Sequence, residues 1–294
     1  MMGGKAAIIV IVLSMAIASA GCGSMVRSAA APMMDNLIAS VMKQRDPEVV
    51  REGAPAYLLL IDGLVEGAPD DPELLAAAAQ LYSAYLSAFI IDKNPERAVL
   101  MGEKARDYAF RAVSLKNKIF AQACDKPFAQ FTEVPGSFKK GDEKTLFLVI
   151  STWAAFIQTH ASNWDNLADI AKIEALTKRL LELDETYYYG AGHLAMGTLL
   201  TLLPKEFGGK PEEARTHFEK ALQISGGKFF PVQVTYATRY ARMTFDRKLH
   251  DSLLKQVMDA PADSVPELTL INTLAKQQAA QLLADAEDYF GSGE

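Results

Sequence analysis

The chain has little of what disulfide-bonded, metal-bound or nucleic-acid-binding proteins are built from. Two cysteines, Cys22 and Cys124, stand among 294 residues, which excludes a disulfide framework. Four scattered histidines, with no Cys/His pair at ligand spacing, give no support to a structural zinc site, and no cofactor is implied. Basic residues nowhere form a block, and the formal charge of -6 argues against a nucleic-acid partner. Enzymatic signatures are missing too: there is no Gly-x-Ser-x-Gly elbow and no His-Glu-x-x-His helix. The acidic residues Asp107, Glu174, Glu182, Glu212 and Glu213 fall on predicted polar helix faces and read as solvated surface. The chain therefore reads as a non-enzyme. Strand patterns are almost absent, which leaves an all-α protein.

The N-terminus is the most distinctive stretch. Met-Met-Gly-Gly-Lys precedes an apolar run from Ala6 to Ala20, then Gly21-Cys22. An apolar run of about fifteen residues behind a positive start reads as a secretory signal and is too short for a spanning helix. The cysteine after Ala20-Gly21 resembles a bacterial lipobox, although Ser19 stands where Leu is usual. That resemblance implies cleavage before Cys22 and acylation of it, and acyl chains contribute about 0.8 kcal/mol per buried methylene. An ordinary signal peptide, leaving Cys22 as a stray thiol, is the competing reading. Gly23, with no Asp to signal inner-membrane retention, favours the outer membrane over the inner. The expected organisation is a signal at 1–21, a small-residue tether at 22–31, one helical domain at 32–290 and a disordered tail at 291–294. Cys124, beside Phe120 and Ala123, is expected to be a small buried hydrophobe.

Amphipathic helices follow one another along the domain. Asp46-Pro47, Asp71-Pro72 and Asn94-Pro95 each pair a capping residue with proline at the first helical position, where no amide donor is needed. Gly53-Ala54-Pro55 is expected to break the first of these helices, with Tyr57 to Val65 resuming it. The helix after Asn94 is expected to bury Ala98, Met101, Ala105, Tyr108, Ala109, Ala112 and Leu115 on one face and to leave Arg97, Lys104, Arg106 and Arg111 on the other. Asn117 to Asp142 reads as a loop too rich in aromatics for solvent, folding back over something apolar. Helices are expected again from Asp142 to Ile157 and Asp165 to Leu183. More follow over Ala191–Leu203, Pro211–Ser225, Val232–Phe245, Lys248–Asp259 and Pro266–Phe290.

Repetition narrows the fold class. Ala214, Phe218, Ala221, Leu222 and Ile224 occupy the second-helix positions of a tetratricopeptide repeat, and Ala105, Ala109, Ala112, Val113 and Leu115 form a weaker copy. Alanines let two helices approach closely while the aromatic fills the gap to the next hairpin. The first helices lie off the regular period, so the expected fold is degenerate tetratricopeptide-like hairpins stacked into a compact solenoid. With the Gly21-Cys22 site and the block Tyr189-Gly-Ala-Gly-His-Leu-Ala-Met-Gly197 leading through Leu203-Pro-Lys-Glu-Phe-Gly-Gly-Lys-Pro-Glu-Glu-Ala214, the chain resembles the T-component (TatT) family of tetratricopeptide-protein-associated TRAP transporters. The resemblance implies a periplasmic lipoprotein that associates with the solute-binding protein of the transporter, with homotrimers around a central pore among its assemblies.

Candidate site residues each carry two readings. Tyr187, Tyr188 and Tyr189, with Trp153 and Phe156, line an apolar ligand cleft or simply pack between hairpins. His193 and Phe207 join that candidate ligand set; for His193 a buried, hydrogen-bonded role competes. Gly208-Gly209-Lys210 ahead of a helix start is an anion cradle or a repeat-joining turn, and the turn is preferred because Pro211 removes a donor. The expected function is a lipid-anchored accessory component that docks a solute-binding protein and binds or passes a small, apolar ligand. The rival is an outer-membrane assembly or scaffolding lipoprotein that grips polypeptides with its repeats.

Overall fold

The structure is a computed structural model that describes residues 36–91, 93–160, 168–203 and 205–291. It divides into a unit ending at Val41 and a unit running from Met42 to Glu294. A short helix, α1, covers 36–42, and everything below concerns the second unit. No strand occurs among the described residues.

The three Pro-led helix starts form as the residues dictate. Asp46 accepts the Glu48 amide at 2.9 Å to open α2 (Pro47–Gly67). Asp71 accepts the Glu73 and Leu74 amides to open α3 (Pro72–Tyr85), and Asn94 accepts that of Arg97 to open α4 (Pro95–Lys116). Each cap satisfies amides that the helix itself leaves without a partner.

Contrary to expectation, α2 is not broken at Gly53-Ala54-Pro55. Proline at position 55 cannot donate to the Arg51 carbonyl, and that lost bond normally ends or kinks a helix. Here the Tyr85 hydroxyl, reaching across from α3, donates to Arg51 O at 3.1 Å. A tertiary contact replaces the missing backbone bond, and the helix runs on. A second correction concerns Leu115, which is 47% exposed instead of sharing the buried face of α4.

α3 continues as a π-helical turn over Leu86–Ile90. The combined stretch Pro72–Ile90 is long and apolar enough to cross a bilayer, but half of it is buried within the domain. Its apolarity serves the core: α3 packs against α2 and α4. The segment read as a loop between Asn117 and Asp142 contains three short helices, α5 (Lys118–Ala123), α6 (Phe128–Phe131) and α7 (Val134–Ser137). It does fold over an apolar floor, because Phe120, Phe131 and Phe138 are fully buried with Phe110 and Trp153. Each buried ring contributes about 1.5–3 kcal/mol of transfer free energy, enough to order so short a set of helices.

Two cores result. The first gathers residues of α4 to α7 with α8 (Glu143–Thr159) and α9 (Ile170–Leu183). The second is built from α10 (Tyr187–Leu200), α11 (Pro211–Ser225), α12 (Pro231–Thr235) with its π-helical continuation Tyr236–Ala241, α13 (Arg247–Asp259) and α14 (Thr269–Ala284). The single helix expected over Pro266–Phe290 is interrupted: a 3-10 turn covers Pro266–Leu268 and Asp285 separates α14 from α15 (Ala286–Phe290). Consecutive helices pack as antiparallel pairs, notably α3 with α4 and α10 with α11, in tetratricopeptide-like stacking.

The α10–α11 hairpin shows why its sequence is rich in small residues. Ala214, Phe218 and Ala221 are completely buried. A Cβ on Gly197 would stand 2.9 Å from the Phe218 ring, one on Gly192 would stand 2.9 Å from Leu181, and one on Gly190 would stand 3.3 Å from the Ala221 Cα. Between the two helices the chain leaves and returns, the Lys210 amide donating to Leu200 O at 2.9 Å. That bond closes Gly208–Lys210 as a turn joining the two helices.

Candidate functional site

Where the two cores meet, the chain makes a tight left-handed turn. Leu183 ends α9, and the Asp184 carboxylate accepts the Thr186 amide at 2.8 Å and the Thr186 hydroxyl at 2.7 Å. Those Thr186 hydrogen bonds hold the Asp184 carboxyl below its ordinary range. Tyr188 (φ 42°), Tyr189 (φ 60°) and Gly190 (φ 81°) then follow in left-handed conformation. Glycine adopts that region freely, whereas for bulky residues it costs about 1–3 kcal/mol each and persists only where packing over-determines it.

The over-determination is aromatic. Tyr188 packs edge-on to Phe229 with ring centroids 5.6 Å apart and tilts against Phe147 at 6.2 Å. Tyr189 stacks on Phe229 at 5.9 Å, and its hydroxyl donates to Glu267 at 3.1 Å. Tyr187 closes the group against Phe147 at 5.7 Å. Phe147 and Tyr187 pack on the first core, and Tyr189 packs on the cluster of Ala221, Phe229, Val232 and Leu268.

All three phenols are pushed above their ordinary pKa, first by burial. Carboxylates add to it: Glu143 and Asp184 for Tyr187, and Glu267 for Tyr188 and Tyr189. Yet Tyr188 remains 39% exposed. The turn therefore gathers an aromatic group with carboxylates nearby, and Tyr188 is its exposed member.

The other sequence-derived candidates lie elsewhere. Trp153 has no exposed surface: it packs edge-on to Phe110 and Phe131, and its indole N–H donates to Asp169 at 3.2 Å. It belongs to the core and lines no cleft. Phe156 is half-buried beside His160, under the Arg106 guanidinium. Phe147 and Phe156 are about two and a half turns apart on α8, hence on opposite sides of that helix. Phe147, absent from the sequence-derived set, is the residue that α8 contributes to the tyrosine group. His193 is buried on α10, its Nδ1 2.9 Å from the Nδ1 of His217 on α11. Glu185 stands 3.5 Å from its Nε2, at the edge of hydrogen-bonding reach. Burial lowers the pKa of both histidines, and for His217 the neighbouring His193 lowers it further. Cys22 and the Phe207 side chain lie outside the described residues.

Two polar nodes have no local sequence signal. Asp62 on α2 accepts the hydroxyls of Tyr82 (2.7 Å) and Tyr108 (2.8 Å) and the Lys104 ammonium (2.5 Å). Burial pushes the Asp62 carboxyl up, but these three donors outweigh it and the net direction is down. Lys172, 4% exposed, pairs with Asp169 at 2.8 Å, donates to Cys124 O and lies over the Trp153 and Phe131 rings. Both nodes are internally satisfied and tie helices together. Cys124 is buried, which pushes its thiol pKa up. Among the described residues no three His, Cys, Asp or Glu side chains converge as a metal site.

The sequence model of the TRAP transporter T-component family matches residues 43–290, nearly all of the helical unit. The chain belongs to the TRAP transporter T-component family. No curated protein matches it. The matched span of this T-component contains the left-handed turn, the Gly-rich hairpin and both cores, so family membership and fold rest on the same residues. It is a family of transporter components and not an enzyme family.

Proposed function

We propose that this T-component is a lipid-anchored accessory subunit of a TRAP-type transporter that faces the periplasm, docks the solute-binding protein and receives the apolar part of a small ligand at the Tyr187–Tyr189 aromatic group. The family supports the transporter role. The Gly21-Cys22 motif supports the anchor, with 1–21 removed as a signal, 22–31 as tether and the outer membrane as its site. The observation that carries the ligand reading is the left-handed Tyr188-Tyr189 pair, strained backbone that holds three aromatic side chains at one partly open place. A homotrimer is the assembly the family likeness suggests.

Two measurements test this. Labelling cells with radioactive palmitate should mark the chain and leave a Cys22→Ser variant unmarked. Affinity capture of the tagged full chain from detergent-solubilised envelope should recover a solute-binding subunit, whereas recovery of envelope-assembly factors in its place would refute the docking role.

A further inference from the structure

The docking and ligand roles leave one buried polar contact unused, the histidine pair that joins α10 to α11. His193 stands in the first right-handed turn of α10 and half-buried His217 midway along α11, their Nδ1 atoms 2.9 Å apart. The rings are tilted at 40° with centroids 5.1 Å apart. The seam they span is tight: Cβ atoms added at Gly190 and Gly197 would meet Ala221 and Phe218 of α11 at 3.3 and 2.9 Å.

Counting protons sets what the contact tolerates. Two neutral imidazoles hold two protons on four ring nitrogens, and a hydrogen bond between the Nδ1 atoms needs one proton there, whichever ring carries it. A first added proton leaves that bond in place, since each Nε2 then carries a proton and the Nδ1 pair still shares one. A second added proton puts N–H on both Nδ1 atoms, two donors with no acceptor at 2.9 Å. The contact therefore accepts one positive charge and breaks at two.

The groups around it do not lift that limit. Glu185 faces the His193 Nε2 at 3.5 Å but is shared with Lys220 at 3.6 Å. Glu213, one turn before His217 on α11, is shared with Lys210 at 3.6 Å. Arg215 and Glu219, on either side of His217 along the helix, pair with each other at 2.7 Å. From α9 the seam receives Leu180 and Leu181, and from the continuation of α12 it receives Tyr236, stacked on Phe218. Each carboxylate is already partnered by a basic side chain, and burial opposes both imidazolium forms.

We propose that the His193–His217 pair is an acid-released latch: entry of a second proton separates the first turn of α10 from α11 and frees the left-handed Tyr188–Gly190 turn that α10 carries. That turn ends three residues before His193 and persists against its own backbone cost only while packing holds it, so loosening the seam there lets it relax. The latch requires neither a ligand nor a docked subunit, and its failure would leave the docking role untouched.

Hydrogen exchange of the full chain in detergent, read on proteolytic peptides as protection corrected for the intrinsic rate, tests this between pH 7.5 and 4.5. The opened seam binds one proton more than the closed one. Below the ordinary imidazole range its population should therefore climb by up to about tenfold per pH unit in peptides from 186–200 and 211–225. Peptides of α4 and α8, in the first core, should keep their protection. His193→Asn and His217→Asn each put an amide where one Nδ1 stood, and its oxygen accepts the N–H of the remaining ring in either charge state. The slope should vanish in both variants, although Glu185 and Glu213 remain. A slope that persists in both variants, an equal loss of protection in the first core, or no pH dependence down to pH 4.5 in the unaltered chain would overturn the proposal.

Discussion

Pro55 has no N–H to offer the Arg51 carbonyl, and the Tyr85 hydroxyl donates there from a helix that begins a loop away. If that hydroxyl is what lets α2 run through a proline, its worth must depend on the proline. Tyr85→Phe removes one hydrogen bond from a side chain that is otherwise buried, at a cost of about 1 kcal/mol. Pro55→Ala restores an amide that can bond Arg51 O within the helix and removes the ring clash, a gain bounded by the roughly 3 kcal/mol that proline costs in a helix interior. In the Pro55→Ala background the carbonyl has its backbone donor, so Tyr85→Phe should cost close to nothing. The interaction energy of the double-mutant cycle should then be about 1 kcal/mol. Urea denaturation followed by far-UV circular dichroism resolves that difference, and thermal melts should show it as roughly 2–4 °C for a unit of this size. Equal costs of Tyr85→Phe in the two backgrounds would refute the reasoning.

Gly197→Ala should destabilise by about 1–3 kcal/mol, because the new Cβ would meet Phe218, which is pinned against Tyr236 at 5.0 Å; pairing it with Phe218→Leu should recover part of the loss in the same melts. His193 and His217 both titrate below their unfolded value, so the unfolded chain binds more protons than the folded one as pH drops. Their contribution is complete above about pH 6.5 and fades as pH falls below it, by at most about 1.4 kcal/mol per pH unit for each ring. Melting temperature measured from pH 7.5 to 5.5 should fall, and His217→Gln should flatten that slope. Lys172→Met leaves Asp169 without its ammonium in a mostly buried setting and should cost about 3 kcal/mol or more, read as a lowered urea midpoint.

The helices were legible because their signals are local. Capping residues before proline and apolar stripes at helical spacing act within a turn or two, and α2, α3 and α4 begin where those residues stand. What stayed hidden depends on distance along the chain. The continuity of α2 turns on Tyr85, 34 residues beyond Arg51, and the Tyr189 hydroxyl finds Glu267 at a separation of 78. The tyrosine run drew notice as a cluster of rings, but its left-handed backbone carries no propensity signal, since tyrosine is not a residue that favours that region. Phe147 and Phe229 look like any core aromatic until α8 and the start of α12 are placed beside the turn. Trp153 and Phe156 were grouped with the tyrosines by composition, and the phase of α8 separates them.

The two π-helical turns have a bearing on how such chains are compared. At Leu86–Ile90 and Tyr236–Ala241 the backbone bonds to the fifth residue back, as Ile91 N does to Leu86 O and Arg242 N to Ala237 O. Each wide turn absorbs one extra residue inside a helix without breaking it. Single-residue gains of this kind leave the hairpin intact while sliding everything downstream out of step. Ancestral modules separated by such slips look unrelated to any ruler of fixed length, and aligning them requires gaps placed within helices, where alignment methods ordinarily forbid them.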